Sequence, residues 1–212
     1  MTQESVTLCG QKLDRCNHIC AFFDSREDQY ENLLPFLSEG LKNHEEVLTI
    51  IESEAHEEHC RKLKTAGFPY DDTLESGQLK VLTSEDTYVE GGIFAADRMI
   101  NMLEDELAES RRGPYKVVRA CGSMEWALKN LPGTDELMQY EARVNSLVPK
   151  YMCTLVCVYD INRLSGQAFA DLLATHSQVI LNGKLQANPY YIEPQTFLQS
   201  LIRRSRRPLV DA

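Results

Sequence analysis

Short runs of β-branched and apolar residues alternate along the chain with longer stretches whose apolar residues recur at helical spacing. This pattern is typical of an α/β protein with a mainly parallel sheet and helices on both faces, a three-layer fold. The strands that it predicts are 18–23, 46–51, 79–82, 115–120 and 153–159, with 179–181 and 190–192 as an antiparallel edge. The predicted helices are 26–42, 54–64, 94–110, 126–128, 135–147 and 167–175.

Two of these elements carry further signals. Asp24 and Ser25 are suitable N-cap residues for a helix that begins at residue 26. The run from 153 to 159 is almost continuously apolar. Such a run predicts a central strand that is covered on both faces of the sheet.

Composition places these elements in one domain. The chain has 212 residues, of which 43% are hydrophobic, and this is enough for a core without disulfide or metal support. We expect an N-terminal arm at 1–14, a single domain at 15–200 and a basic tail at 201–212. The net charge of −10 argues against nucleic acid as a direct partner, since neutralising phosphates requires a basic face.

The ends and the cysteines indicate the compartment. The first residues lack the basic and apolar regions of a signal peptide, and no apolar run approaches the roughly 18 residues of a membrane span. Seven cysteines, an odd number without tight pairing, fit reduced thiols better than a disulfide framework. We therefore expect a cytoplasmic protein that does not bind membranes.

The first predicted strand-to-helix turn lacks a phosphate cradle. Nucleotide-binding α/β proteins place glycines and a lysine at this turn, where backbone amides hold phosphates. Residues 23–28 contain no glycine and no lysine, and three of them are acids: Asp24, Glu27 and Asp28. The sequence predicts a degenerate nucleotide site that does not hydrolyse ATP or GTP and does not bind nucleotides tightly.

Several histidines and cysteines are candidates for chemistry inside the sheet. His18 and Cys20 lie two apart on the first strand and so share a face, where they bind a soft metal or a reactive small molecule, or simply belong to the core. Cys157 and Tyr159 share a face of the later strand in the same way. If the two strands are neighbours, we expect His18, Cys20 and Cys157 to line one pocket.

A second histidine and cysteine group lies on a charged helix. His56, His59 and Cys60 have the spacing of metal ligands on one helical face. The surrounding acidic and basic residues favour a solvated surface helix, and no second cluster with zinc-site spacing completes the set.

Other candidates follow the ends of predicted strands, where open α/β sheets bind ligands. Glu125 and Trp126 offer a polar contact and an apolar wall, or a surface acid beside a packing tryptophan. Asp160 is a ligand contact or the N-cap of the next turn. His176 follows a helix and is a ligand contact or a core or cap residue.

The order of several short segments resembles the MEDS family, the methanogen/methylotroph, DcmR-type sensory domains. The likeness covers about residues 15–198 and rests on the following segments: 18–23, 34–41, 77–79, 92–94, 124–128, 140–143, 157–160 and 175–176. The resemblance implies a RecA/KaiC-like fold without its P-loop. It also implies a prokaryotic sensory module for simple hydrocarbon derivatives, such as halomethanes or other one-carbon compounds, acting in signal transduction and transcription regulation.

These observations lead to one favoured function and two alternatives. We expect a non-enzymatic homodimer that binds a small organic ligand and signals to a partner protein, a histidine kinase or transcription regulator. No cofactor is expected, and a metal at His18 and Cys20 stays open. The ligand contacts would be His18, Cys20, Glu125, Trp126, Cys157, Tyr159, Asp160 and His176. The alternatives are a thiol- or metal-dependent enzyme using Cys20 or Cys157 with His18, and an interaction module without a ligand.

Overall fold

The computed structural model describes residues 5–205. The strands are β1 (Ser5–Leu8), β2 (Gln11–Asp14), β3 (Asn17–Phe23), β4 (Glu46–Ile51), β5 (Leu79–Thr83), β6 (Val118–Ser123), β7 (Thr154–Asp160), β8 (Gln178–Leu181) and β9 (Lys184–Ala187). The helices are α1 (Arg26–Lys42), α2 (His56–Lys64), α3 (Tyr70–Glu75), α4 (Ala96–Arg112), α5 (Leu137–Val144), α6 (Leu147–Tyr151), α7 (Gly166–Thr175) and α8 (Pro194–Ser205).

Seven of the described strands form one sheet, in the order β5-β4-β6-β7-β3-β8-β9. Neighbouring strands run parallel throughout, except that β9 is antiparallel to β8. β7 lies at the centre, and all of its residues except Asp160 are buried. The predicted central strand and the mainly parallel α/β fold are both confirmed.

The two faces of the sheet carry separate cores, because successive side chains of a strand point to opposite faces. Cys20 and Phe22 of β3 face a core built with α4, α5, α6 and α7, which we call the α4 side. Ile19 and Ala21 face a core built with α1, α2, α3 and the β1-β2 hairpin, which we call the α1 side. The sheet is therefore the middle of three layers.

Helix α1 begins and ends where its sequence predicts. The Ser25 hydroxyl accepts a hydrogen bond from the Asp28 backbone N–H at 3.2 Å and closes the first turn. Near the other end, Gly40 faces the side chain of Arg119, and a Cβ on Gly40 would lie 2.8 Å from the Arg119 Cδ. A glycine is therefore required there by close approach rather than by an unusual backbone angle.

Arg119 is a fully buried cation on β6 that joins several elements on the α1 side. It donates hydrogen bonds to the Glu45 carboxylate, to the Phe36 carbonyl at 2.9 Å and to the Glu39 carboxylate at 2.7 Å. Glu39 also accepts the backbone N–H of Thr7 at 3.0 Å. This Arg119 network links the β1-β2 hairpin, α1, the start of β4 and β6.

Two predicted strands are wrong in position. The strand predicted at 115–120 is β6, Val118–Ser123. Within it, Gly122 lies under the Tyr88 hydroxyl, which a Cβ at this position would clash with. The antiparallel edge is Lys184–Ala187 and not 190–192. Asn182 and Gly183 form the two-residue turn before it, both with positive φ (51° and 67°), which is the geometry that Asn-Gly hairpins favour.

Some elements were not predicted. Residues of the predicted N-terminal arm form the β1-β2 hairpin, whose Val6 and Leu8 are buried on the α1 side. The predicted basic tail begins within α8, and its residues 206–212 lie outside the described residues. Among residues 5–205, we find no helix with both the length and the apolar character needed to cross a bilayer.

Candidate functional site

A group of buried polar side chains lies on the α4 side of the sheet. It is centred on the Glu141 carboxylate of α5 and is completed by His18 of β3, Cys157 and Tyr159 of β7, and His176, which follows α7. We call these five residues the Glu141 cluster. Each of them is at most 5% exposed, so the cluster is shielded from water.

The sheet register brings the cluster together. β3 and β7 pair in parallel with Cys20 opposite Cys157, so His18 shares a sheet face with Cys157 and lies two residues from the position opposite it. The His18 Nε2 lies 3.4 Å from the Cys157 Sγ. His176 reaches the same place because α7 ends one residue before it and the chain turns inward toward β8, and the His18 and His176 rings lie 4.0 Å apart between centroids.

Four polar side chains contact the two carboxylate oxygens of Glu141. The Tyr159 hydroxyl donates to Oε1. The other oxygen, Oε2, lies 3.2 Å from the His18 Nε2 and 3.4 Å from the His176 Nε2. The Cys157 Sγ lies 3.5 Å from the same Oε2. Three potential metal-binding atoms therefore converge on one carboxylate oxygen.

The protonation states follow from burial and from the charge on Glu141. Burial raises the pKa of the Glu141 carboxyl, but the charge interactions with the neighbouring His176 and His18 outweigh it and hold the pKa below its usual value. Burial and the neighbouring His176 lower the pKa of His18 to about 4. Burial, together with the Glu141 charge, holds the pKa of the Cys157 thiol well above its usual value.

A small apolar cavity adjoins the cluster at Cys157. Its walls come from β4, β6, β7, α4 and α5, and include Ile50, Met99, Leu103, Ala120, Tyr140, Leu155 and Cys157. It leaves about 20 Å³ for the centre of a water-sized molecule, which is room for one molecule of that size. The cavity is therefore both apolar and very small.

The carboxyl edge of the sheet forms a different pocket, open to solvent, with about 170 Å³ of space measured in the same way. Glu125 lies on its wall and pairs with Arg26 at 3.6 Å and with Arg163 at 3.8 Å. Asp160 accepts the backbone N–H of Asn162 at 2.9 Å, which is the N-cap role that its position also predicted. The turn after β3 lines this pocket and carries Ser25 and the acids of α1 instead of the glycines and lysine that hold a phosphate.

Trp126 serves the core. It is fully buried, and its ring stacks on Tyr88 with 5.1 Å between ring centroids. The same ring lies tilted against Phe94, with 4.4 Å between centroids. Cys20 is also fully buried, and its Sγ lies 3.9 Å from the Gln178 carbonyl oxygen rather than within the Glu141 cluster. The structure thus groups His18 with Cys157, Tyr159 and His176, and places Cys20, Trp126, Glu125 and Asp160 elsewhere.

The histidines of α2 divide between surface and core. His59 is buried and contacts the Tyr30 hydroxyl at 3.2 Å and the Thr49 hydroxyl at 3.1 Å. His56 is exposed and lies 3.8 Å from the Cys60 Sγ. The three residues therefore do not converge on one point.

Glu141 is the central residue that the sequence analysis did not select. Its position was marked in the sequence, because it continues the buried stripe of α5 that Leu137 and Val144 define at i−4 and i+3. A carboxylate on such a stripe needs a buried partner, and this is the signal that could have identified it.

Comparisons with known proteins agree with this architecture. Residues 17–177 match the family described as MEDS, "MEthanogen/methylotroph, DcmR Sensory domain". The transcriptional repressor DcmR of Methylorubrum extorquens is 23% identical over 171 residues, which are 80% of this chain and 61% of that protein. The chain therefore spans less than two thirds of the length of this relative.

Two solved structures share the fold. A KaiC-like protein from Pyrococcus horikoshii OT3 aligns with a TM-score of 0.58 at 10% identity, over 79% of this chain and 72% of that one. The flagellar accessory protein FlaH from Methanocaldococcus jannaschii aligns with a TM-score of 0.50 at 13% identity, over 83% of this chain and 79% of that one. At these identities the likeness shows the RecA/KaiC-type fold alone.

Proposed function

The chain belongs to the MEDS family of sensory domains, and from its regulatory, sensory role we propose that it binds a small organic molecule next to the Glu141 cluster and signals to a partner protein. The observation that carries this proposal is the apolar cavity beside Cys157. The chemical class we propose for the ligand is a halomethane or another one-carbon compound.

The size of the cavity supports both the ligand class and a signalling response. An apolar site with room for one water-sized molecule excludes large ligands. A halomethane is larger than water, so its entry must displace part of the wall. Met99 and Leu103 of α4 and Tyr140 of α5 provide that wall, and a ligand that binds the displaced arrangement more tightly shifts the protein toward it.

Helix α5 also connects the cavity to the surface. Ala142, next to Glu141, packs with Ala174 of α7 and Phe197 of α8 in a small separate core. Displacement of α5 is therefore passed to α8, whose last turn carries Arg203 and Arg204. We propose that α4 and α8 present the bound state to a histidine kinase or a transcription regulator, and that the chain acts in the cytoplasm as a homodimer.

The buried thiols favour sensing over catalysis. A nucleophilic cysteine needs a low pKa and access to substrate. Burial holds the pKa of both Cys20 and Cys157 well above the usual value, and both side chains are shielded from water. We therefore propose that the domain is not an enzyme.

Dichloromethane, as a probe, tests the ligand site directly. Chemical denaturation of the full chain is measured in sealed cells with and without the probe. At a hundredfold excess over the dissociation constant, the protein should gain about 2.7 kcal/mol of unfolding free energy. Failure to gain any stability at saturating probe would contradict the proposal.

Two matched variants locate the site. Ala120→Val adds two methyl groups to the cavity wall on β6 and should remove the probe-dependent gain. Ala187→Val adds the same groups at an exposed position of edge strand β9 and should keep it. An equal gain in both variants would place the ligand elsewhere.

A further inference from the structure

We propose that four side chains of the Glu141 cluster bind a single zinc ion: His18, Glu141, Cys157 and His176. This inference goes beyond the proposed function and does not depend on the identity of any organic ligand. It rests on the spacing of four donor atoms, on an unpartnered histidine nitrogen and on the charge balance of a buried carboxylate.

Four of the six distances between the donor atoms are close to those of a tetrahedral site. Zinc binds histidine nitrogen and carboxylate oxygen at about 2.0–2.2 Å and thiolate sulfur at about 2.3 Å, so neighbouring ligand atoms of a tetrahedron are about 3.3–3.6 Å apart. The His18 Nε2 lies 3.4 Å from the Cys157 Sγ and 3.2 Å from the Glu141 Oε2. The Glu141 Oε2 lies 3.5 Å from that Sγ and 3.4 Å from the His176 Nε2. All four donor atoms lie within 4.8 Å of one another.

His176 has a buried ring nitrogen that faces the cluster and makes no hydrogen bond among the described residues. Its Nδ1 lies 2.8 Å from the Leu172 carbonyl oxygen, which accepts and cannot donate, so Nδ1 carries the proton. The other ring nitrogen, Nε2, faces the Glu141 Oε2 at 3.4 Å. Within the described residues Nε2 makes no hydrogen bond, although the side chain is fully buried. A metal ion placed between Nε2 and Oε2 would take both atoms as ligands.

The contacts behind the ligands have the form that metal sites use. A metal-binding histidine commonly donates its second N–H to a carbonyl, and His176 does so to Leu172. The Tyr159 hydroxyl holds Oε1 of Glu141 and leaves Oε2 directed at the histidines and Cys157. His176 and Glu141 are thus oriented without help from the ion.

Charge balance favours a divalent ion. Glu141 is fully buried, and among residues 5–205 its ion-pair partners are His18 and His176, with neither a lysine nor an arginine. A buried charge needs a compensating charge nearby. Binding releases the Cys157 thiol proton to water as the zinc–sulfur bond forms, and Zn²⁺ with one thiolate, one carboxylate and two neutral imidazoles has no net charge.

The donor set determines the metal class and the role. Nitrogen and sulfur donors in a tetrahedron are typical of zinc, whereas magnesium and calcium require oxygen. Four protein ligands leave no open position for a reacting water, which catalytic zinc sites keep. The ion would therefore support the structure of the sensor around its cavity.

The test uses the full chain without an affinity tag, carrying His56→Ala and Cys60→Ala. These changes remove the exposed histidine–thiol pair of α2, which is the obvious site for surface zinc. The protein is unfolded and refolded under reducing conditions with excess Zn²⁺, because the site is buried and metal binding is coupled to folding. Dialysis follows, and elemental analysis is expected to find one zinc per chain. A zinc content no higher than that of the dialysis buffer would overturn the proposal.

Cobalt identifies the ligands. The Co²⁺ form should show the visible bands of a tetrahedral ion and a thiolate-to-cobalt charge-transfer band. Cys157→Ser should remove the charge-transfer band, whereas Cys20→Ala, a change on the same sheet face one strand away, should keep it. The reverse result, or tetrahedral cobalt without a sulfur band in the parent, would refute the ligand set.

X-ray absorption avoids reliance on variants that fail to fold. Measured on the zinc-loaded protein, it should give one sulfur and three nitrogen or oxygen ligands, and any other sulfur count overturns the assignment. The dichloromethane response is measured on the same preparation with and without zinc. Retained zinc without a dichloromethane response would contradict only the proposed function. A dichloromethane response in protein that fails to retain zinc would contradict only this inference.

Discussion

His59 is expected to make the protein markedly less stable in mild acid. Burial, with a smaller effect of His56, lowers the pKa of His59 from 6.5 to about 4 in the folded state. The unfolded chain binds this proton below about pH 6.5, whereas the folded protein binds it only near pH 4. Because the unfolded state holds more protons between these values, stability falls as the pH falls through this window. At 1.36 kcal/mol per pKa unit, the His59 contribution is about 3 kcal/mol.

The perturbation is His59→Gln, which keeps a polar group near Tyr30 and Thr49 but does not titrate. Urea denaturation from pH 7.5 to pH 4 gives the unfolding free energy of each protein. The unfolding free energy of the parent, relative to that of His59→Gln, should fall by about 3 kcal/mol between pH 7.5 and pH 4. His56→Gln replaces the exposed first residue of α2. Because His56 has only the smaller effect on the pKa of His59, this variant should keep most of the pH dependence of the parent. Parallel curves for the parent and His59→Gln would refute the reasoning.

Three further predictions concern packing, nucleotides and thiols. Gly40→Ala should destabilise the fold by about 1–3 kcal/mol in thermal or urea denaturation, because the new Cβ meets Arg119. Gly166→Ala, with open space at the start of α7, should stabilise the fold by about 0.5–1 kcal/mol. Destabilisation by both changes would contradict this prediction. Equilibrium dialysis at low salt should detect no ATP binding, because Ser25 and acids occupy the turn after β3, and micromolar affinity would contradict this. All seven cysteines are free, so a thiol reagent should label the exposed Cys16 fastest in native protein and all seven after denaturation; three disulfides in fresh protein would be the opposite result.

Periodicity was sufficient for most of the fold. The bounds of α1 and β4 match their predictions because caps, apolar spacing and β-branched runs act locally. The central position of β7 followed from its apolarity on both faces. The edge strand was misplaced because the Asn182-Gly183 hairpin signal was overlooked in favour of the aromatic residues at 190–192.

The candidate site was only partly predictable, because its members come from four separate elements. The alternation of side chains placed His18 and Cys157 on defined faces, but their contact depends on β3 and β7 being neighbours, which is a property of the sheet order. Glu141 lies more than 100 residues from His18 and only its buried helical position marked it. Trp126 was selected because it follows a strand, but its ring packs in the core against Tyr88 and Phe94.

The Arg119 network makes the two layers of helices mechanically unequal. Its hydrogen bonds hold the hairpin, α1, β4 and β6 to one another through a single buried guanidinium. Moving any of these elements separates a buried charge from its partners, which is costly in free energy. The α1 side is therefore the stiff support of the molecule. A strain created at the cavity is expected to relax outward through α4, α5 and α8 and to leave the opposite layer in place.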